Sequence, residues 1–176
     1  MKTVGRMILV SVALCVAVVP VMAQDITSDL EAYWNFDAYD GGDAADASGN
    51  SRDAFIEAGQ PVATGGVIGN AVYFDGSSGF NTDYEGIQGA DPRTIVFWVK
   101  TTASGAGMLG WGETGNATKW HFRVNDSTTQ PDGSNAGSLR TEYQGSQTIG
   151  TAIVNDNEWH LVASVFEGTS PADVKH

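Results

Sequence analysis

The stretch Trp120-His121-Phe122-Arg123-Val124 alternates between apolar side chains and polar or charged ones. Successive side chains of a β-strand point to opposite faces of a sheet, so this pattern predicts a strand with one buried and one solvent-facing side. The stretch Leu139–Tyr143 repeats the alternation, with Arg140 and Glu142 on its polar side. Together they predict a half-buried sheet that carries charged side chains on its outer face.

Short apolar or alternating runs continue on both sides of these stretches, separated by Gly, Asn, Asp and Ser, and none has a long helical spacing. The runs Thr94–Lys100 and Trp159–Phe166 are apolar on both faces, which is typical of central strands of two packed sheets. We therefore predict an all-β fold of two antiparallel sheets. The predicted strands are Leu30–Phe36, Ala54–Glu57, Ala71–Phe74, Thr94–Lys100, Gly107–Trp111, Trp120–Val124, Leu139–Tyr143, Gln147–Ile153 and Trp159–Phe166.

Length and charge limit the classes of protein to consider. A chain of 176 residues suits one globular domain. It has 9 Lys and Arg against 21 Asp and Glu, a net charge of -12. Binding to nucleic acid or to an anionic membrane surface relies on clustered Lys and Arg, so this balance argues against both kinds of partner.

Residues 1–23 have the pattern of a signal peptide. Lys2 and Arg6 precede an apolar run at Met7–Val19, and a small-residue cleavage site ends at Ala23. The run is shorter than the roughly 20 residues that span a bilayer, which argues against membrane insertion. We predict a secreted, extracellular or cell-surface domain over residues 24–176, without disulfides because Cys15 lies in the leader.

Six segments, over about residues 30–168, resemble laminin-G-like (LamG) domains of the concanavalin A-like lectin/glucanase superfamily. Each segment is short, but all six occur in the order of the family. They are Tyr33–Asp37, Asp46–Asn50, Gly69–Gly76, Ile95–Lys100, Leu109–Gly112 and Asn157–Ala163.

The resemblance implies a jelly-roll sandwich of two antiparallel sheets. It implies a non-catalytic module that binds carbohydrate or extracellular protein, often with Ca²⁺, within a larger bacterial multidomain protein. In the family further strands follow the segment that ends near Gly168, whereas this sequence stops at His176, so we expect a domain truncated at its C-terminus.

An acidic, Gly- and Asn-containing region at residues 37–53 has the oxygen-rich chemistry that Ca²⁺ prefers. By the resemblance, the candidate metal ligands are Asp46, Asn50 and Asp75. The alternative is that these residues are solvated turn residues whose side chains cap backbone amides.

The candidate ligand-binding surface is the polar face of the two alternating strands, with His121, Arg123, Arg140 and Glu142, together with Trp111 nearby. An aromatic ring beside hydrogen-bonding side chains can hold a sugar, because the ring packs against C–H groups while hydroxyls find polar partners. The alternative is a charged face that only contacts solvent.

Catalysis is not expected, because the sequence lacks the Glu-x-Asp-x-Glu type of strand on which glycanases of this superfamily place two carboxylates. It also lacks a Gly-x-Ser-x-Gly or His-Glu-x-x-His motif. Two alternatives to a recognition module stay open at this point, a partial or degraded glycan-active enzyme and a purely structural spacer.

Overall fold

The computed structural model describes residues 29–113, 118–126, 136–143, 145–168, 170 and 173–176. The predicted leader, with Cys15, lies outside the described residues. Strands make up 44% of the described part, which contains no helix, so the all-β prediction is confirmed. All strands belong to the compact unit Glu31–His176. Within the described ranges, no helix has the length and apolar character needed to cross a bilayer.

The strands form several small antiparallel sheets. One sheet has four strands in the order β6-β7-β8-β9, a second has the order β11-β10-β5, and β1-β4 and β2-β3 are two-stranded. The strands are β1 Ala54–Ala58, β2 Val62–Gly65, β3 Asn70–Tyr73, β4 Gly79–Thr82, β5 Arg93–Val99, β6 Gly107–Trp111, β7 Trp120–Val124, β8 Ser138–Tyr143, β9 Ser146–Ile153, β10 His160–Phe166 and β11 Val174–Lys175.

The main core lies between the four-stranded sheet and the β11-β10-β5 sheet. Trp120 and Phe122, which alternate with polar residues along β7, are fully buried. The ring centroid of Phe122 lies 6.0 Å from that of Phe97 on β5, and that of Trp120 lies 5.4 Å from that of Phe166 on β10. Burial of each such side chain contributes roughly 1.5–3 kcal/mol. The predicted division of β7 into a buried and a polar face is confirmed.

The strands β5 and β10 were predicted to be central strands; β10 is central in its sheet, whereas β5 lies at an edge of the described sheet. Both faces of each strand are apolar, but only one face is buried. Ile95 and Phe97 pack on the core, but the opposite face exposes Val96 at 54%, Trp98 at 42% and Leu161 at 57%. Trp98 and Leu161 are register partners on neighbouring strands. A continuous apolar run therefore did not distinguish a strand covered on both faces from one covered on a single face.

The predicted strand Leu30–Phe36 is also wrong. No strand is assigned there, and Phe36 has a positive φ of 60°, which breaks the extended conformation. The Tyr33 backbone is held by other groups, since its N–H donates to Asp46 and its carbonyl accepts from the N–H of Ala47. The Asp46 side chain and the Ala47 backbone thus make the hydrogen bonds that a neighbouring strand would make with Tyr33.

The remaining predicted strands agree with the observed ones to within one residue at either end. Three strands were not predicted. All four residues of β2 are exposed and show no alternation, β4 begins at Gly79, and β11 has two residues. Such short or fully exposed strands lack the hydrophobic period that reveals a strand in a sequence.

A smaller core lies in the first half of the described chain. The Phe36 and Phe80 rings stack with centroids 6.2 Å apart, and Tyr39 meets Phe80 edge-on at 5.5 Å. The Tyr39 hydroxyl donates to the carbonyl of Pro61 at 2.9 Å. These rings anchor the irregular N-terminal segment to β4 and to the chain that leads into β2.

Arg93, the first residue of β5, is buried with 4% of its surface exposed. Its guanidinium donates to carbonyl oxygens of the segment that precedes the strand, at distances of 2.5–3.2 Å, namely those of Ile87, Gln88, Gly89 and Asp91. A buried cation requires this degree of hydrogen bonding, because it has lost its hydration. The same contacts fix the path of residues 87–91.

Aromatic rings surround the same guanidinium. Its central carbon lies 4.8 Å from the ring centroid of Trp120 and 5.2 Å from that of Phe166. The rings of Tyr143 and Trp111 lie within 6.0 Å. Burial lowers the pKa of Arg93, although an arginine keeps its charge at neutral pH. The cation therefore joins side chains from both large sheets.

Substituting this group is expected to destabilise the protein strongly. In Arg93→Met the carbonyl oxygens of residues 87–91 lose their donors, so we expect the free energy of unfolding in urea to fall by about 3 kcal/mol or more. Arg93→Lys should fall between this variant and wild type, since an ammonium cannot reach all these acceptors. Arg52→Met, at a partly exposed arginine whose ion pair is screened by water, is the control and should lose much less stability than Arg93→Met. Equal stability of Arg93→Met and wild type would contradict this.

Candidate functional site

Five ionisable side chains share the outer face of β7 and β8 and the residue before β7. Because odd-numbered residues of β7 point away from Trp120, this face collects Lys119, His121 and Arg123, and β8 adds Arg140 and Glu142. His121 is the register partner of Glu142, and Arg123 that of Arg140. These five residues are called the charged face below. Four of the five predicted ligand-binding residues are thus brought together.

Glu142 is the centre of the charged face, and only 13% of its side chain is exposed. One carboxylate oxygen lies 2.9 Å from Arg140 Nη2 and 3.5 Å from Arg123 Nη1. The other lies 2.5 Å from Lys119 Nζ and 3.9 Å from His121 Nδ1. The Glu142 carboxylate therefore lies within 4 Å of two arginines, one lysine and one imidazole, and it fixes their positions relative to one another.

These charges shift two pKa values. Burial alone would raise the pKa of Glu142, but the hydrogen bond from Lys119 and the charge of Arg140 outweigh it and lower the pKa. Burial lowers the pKa of His121, and the neighbouring cations lower it further against the opposing effect of Glu142. At neutral pH the face consists of an ionised carboxylate, three cations and an uncharged imidazole.

The strands on either side of the charged face leave room above it. A Cβ atom at Gly107 would lie 2.9 Å from His121 Nε2, and one at Gly110 would lie 3.1 Å from the same ring. Glycine at both positions of β6 therefore lets the imidazole lie across the strand. On the other side, β9 places Gln147 opposite Glu142 and the half-buried Ile149 opposite Arg140. The result is an open surface on the sheet in which charged side chains surround one aliphatic side chain.

Trp111 does not belong to this surface. Its ring stacks on that of the buried Trp120 with centroids 6.1 Å apart, and its indole N–H donates to the carbonyl of Ile87. Gly86 packs against the ring, since a Cβ atom there would lie 2.5 Å from it. Trp111 lies on the inner face of the sheet, so the prediction that it lies beside His121 and Arg140 is wrong.

Two further charged residues were missed by the sequence analysis. Lys119 continues the alternation of β7 by one position, so extending the strand pattern backwards would have found it. Asp126 follows β7, and its carboxylate lies 3.3 Å from Arg123 Nη2 and 3.8 Å from Arg140 Nη1. No period of the sequence predicts that contact, because it depends on how the chain turns after the strand.

The predicted metal ligand Asp46 is fully engaged in hydrogen bonds with the chain. Oδ1 accepts from the N–H groups of Tyr33 and Ser48, and Oδ2 accepts from the Ser48 hydroxyl and the Arg52 N–H, all at 2.8–3.0 Å. Burial would raise its pKa, but these four donors lower it to about 2. Each carboxylate oxygen therefore accepts two hydrogen bonds that hold the turn together, an arrangement called the Asp46 clasp below. An oxygen occupied in this way does not fit the role of a Ca²⁺ ligand.

The other two predicted ligands also make turn contacts. Asn50 donates from its side-chain amide to the carbonyl of Glu31, and Asp75 accepts from the backbone and hydroxyl of Ser77. Hydrogen bonds from Ser77 lower the pKa of Asp75. Among the described residues, no three His, Cys, Asp or Glu side chains form a group that could hold a metal ion. Calcium binding stays a prediction from the family resemblance.

Two clefts lie in the first half of the described chain, away from the charged face. The larger, of about 390 Å³, is lined by acidic residues and by Arg52, whose guanidinium lies 3.8 Å from the centroid of the Tyr84 ring. The smaller lies beside Gln60 and Pro61. The guanidinium of Arg52 covers the Tyr84 ring in the larger cleft, so this ring is not open to a ligand. The charged face therefore remains the better candidate for a ligand-binding site.

Comparison with models of protein families, with curated proteins and with solved structures finds no match for this chain. The resemblance to LamG domains therefore rests on the sequence segments quoted above.

The Asp46 clasp should stabilise the fold without metal. The folded-state pKa lies below the ordinary value, so this contribution is complete above about pH 5 and is lost as the pH falls towards about 2. We expect Asp46→Ala to lower the free energy of unfolding by about 1–2 kcal/mol at pH 7, equally in calcium and in chelator. The matched control is the exposed Asp83→Ala. A melting temperature that rises with added Ca²⁺ in wild type but not in Asp46→Ala would contradict this.

Proposed function

We propose that this protein is a secreted, non-catalytic recognition module that binds a carbohydrate or an extracellular protein through the charged face. The observation that carries the proposal is the Glu142-centred cluster itself. It holds five ionisable side chains, partly shielded from water, on the outside of a sheet whose inside is the main core. Polar groups held by a rigid scaffold lose little conformational entropy when they bind a ligand.

The proposed architecture is a LamG-like jelly roll. Its support is the order of the six sequence segments, together with two antiparallel sheets that share one core. We place the ligand on the polar face of the four-stranded sheet because the charged face lies there. The leader pattern supports secretion, and the family resemblance supports a place within a larger extracellular protein.

The state of Glu142 supports a binding role over catalysis. A glycosidase needs one carboxyl group that stays protonated to donate a proton to the leaving group. Glu142 is instead held ionised by Lys119 and Arg140, and its lowered pKa makes it a poor acid. Its contacts position the cations around it, which can then meet hydroxyl, carbonyl or carboxylate oxygens of a ligand.

Arg140→Gln is the variant that tests this role. We expect the purified protein to bind members of a panel of immobilised glycans and extracellular matrix proteins, and Arg140→Gln to weaken that binding about tenfold or more. Arg52→Gln removes the same charge on the other half of the molecule and is the matched control, which should bind like wild type.

Three outcomes would contradict the proposal. Binding that survives Arg140→Gln would place the ligand elsewhere. Absence of binding by the folded wild-type protein across the panel would favour the spacer alternative. Release of reducing sugars from oligosaccharides would favour the glycan-active enzyme.

A further inference from the structure

We propose that the ligand of the charged face is a saccharide with a single carboxylate group, and that this carboxylate binds Arg123 and Arg140 in place of Asp126. The inference rests on the proposed function and assigns the chemical class of its ligand. It follows from three features of the face, which are the loose contacts of Asp126, the local balance of charge and the shallow surroundings of the arginines.

Asp126 is placed as a carboxylate ligand would be. It lies between the two guanidinium groups, at 3.3 Å from Arg123 and 3.8 Å from Arg140. Both distances exceed the 2.7–2.9 Å of a strong charge-assisted hydrogen bond. Its side chain is 48% exposed, whereas that of Glu142, on the same arginines, is 13% exposed. Asp126 is therefore a weakly held occupant that a better-fitting carboxylate can displace.

Arg140 has donors to offer such a ligand. A guanidinium carries five N–H groups, and among the described residues the one partner of Arg140 within 3.5 Å is Glu142, at 2.9 Å. Nε of Arg140 is buried, so the donors left for a ligand are on its Nη atoms. Arg123 is more occupied, because its Nη2 also donates to the carbonyl of Gly105 at 2.9 Å. A carboxylate that bridges the two would complete the outward contacts of Arg140 in particular.

The charge of the face favours one anion. Lys119, Arg123 and Arg140 supply three positive charges, against two negative charges from Glu142 and Asp126. When Asp126 moves away, three cations face one carboxylate, so the local excess is two positive charges. One ligand carboxylate restores the excess of one positive charge that the face has when Asp126 is in place.

The charge of the whole molecule sets an upper limit on the charge of the ligand. The chain has a net charge of -12 and repels anions at distances up to about a Debye length, about 8–10 Å at physiological salt. A polyanion would experience this repulsion along its whole length. A saccharide with one carboxylate among neutral hydroxyls would experience it once and gain the two arginines in return.

The surroundings of the arginines favour a saccharide over an acidic peptide. Peptides gain much of their affinity from apolar or aromatic anchors in pockets. Next to the charged face, β6 contributes two glycines, and β9 contributes Gln147 and the half-buried Ile149. This shallow surface offers one aliphatic side chain, which can pack against the C–H groups of a sugar ring, and an amide and an imidazole, which suit hydroxyl groups.

The test compares two small ligands that differ in one group. Methyl glucuronide and methyl glucoside are titrated into the purified protein, and binding is followed by saturation-transfer and chemical-shift NMR. We expect the glucuronide to bind about tenfold or more tightly than the glucoside. Asp126→Asn should tighten glucuronide binding about threefold or more, and Arg140→Gln should abolish the preference. The matched control is Glu167→Gln, which changes the net charge equally at an exposed ion pair.

The outcomes separate this inference from the function on which it rests. Equal binding of both sugars, with loss in Arg140→Gln, would overturn the carboxylate assignment and leave recognition by this face intact. An Asp- and Glu-containing peptide that binds where the glucuronide does not would likewise overturn it in favour of a protein ligand. Unchanged glucuronide affinity in Asp126→Asn would overturn the displacement of Asp126. If Glu167→Gln changes glucuronide affinity as much as Asp126→Asn does, the change in net charge alone explains the effect. That result would also overturn the displacement of Asp126.

Discussion

The buried guanidinium of Arg93 is the contact on which the arrangement of the two large sheets depends. Its hydrogen bonds fix residues 87–91, and its central carbon lies 4.8 Å from the ring centroid of Trp120 in one sheet and 5.2 Å from that of Phe166 in the other. Among the described residues no carboxylate forms an ion pair with Arg93, and carbonyl oxygens and aromatic rings are its direct contacts. The main core is therefore organised around a cation, and the segment before β5 is ordered by the same group.

The core and the charged face are coupled through the period of the strands. Trp120 and His121 are neighbours in the chain, one in the core and the other on the surface. A slip of β7 by one residue would exchange these faces, so the packing that buries Trp120 also determines that His121 meets Glu142. The charged face is in this sense the reverse side of the aromatic core. The ion pairs around Glu142 form between strands whose register the core packing has already determined.

Much of this arrangement could be predicted from alternation. The strand β7 and the outward direction of Arg123 and Glu142 follow from a period of two. Contacts that depend on side chains outside that period could not be predicted. The carboxylate of Asp46 replaces a strand partner for Tyr33, and Arg93, which precedes an apolar run as a solvated charge would, turns inward instead.

The position of Trp111 shows the same limit. Its residue type favoured a sugar-binding ring, but it follows the register of β6, which pairs it with Trp120 on the inner face. An aromatic side chain near a loop is compatible with either face of a strand. Only the pairing of β6 with β7, which contains a bulge between Gly107 and Leu109, determines which face it takes.

The most direct test of this account is amide hydrogen exchange on Arg93→Lys compared with wild type. If the guanidinium joins the two large sheets into one cooperative unit, amides of β7 and β8 will lose protection together with those of β5 and β10, by the same free energy. Loss of protection confined to β5 and residues 87–91, with β7 and β8 unchanged, would contradict the central role of Arg93.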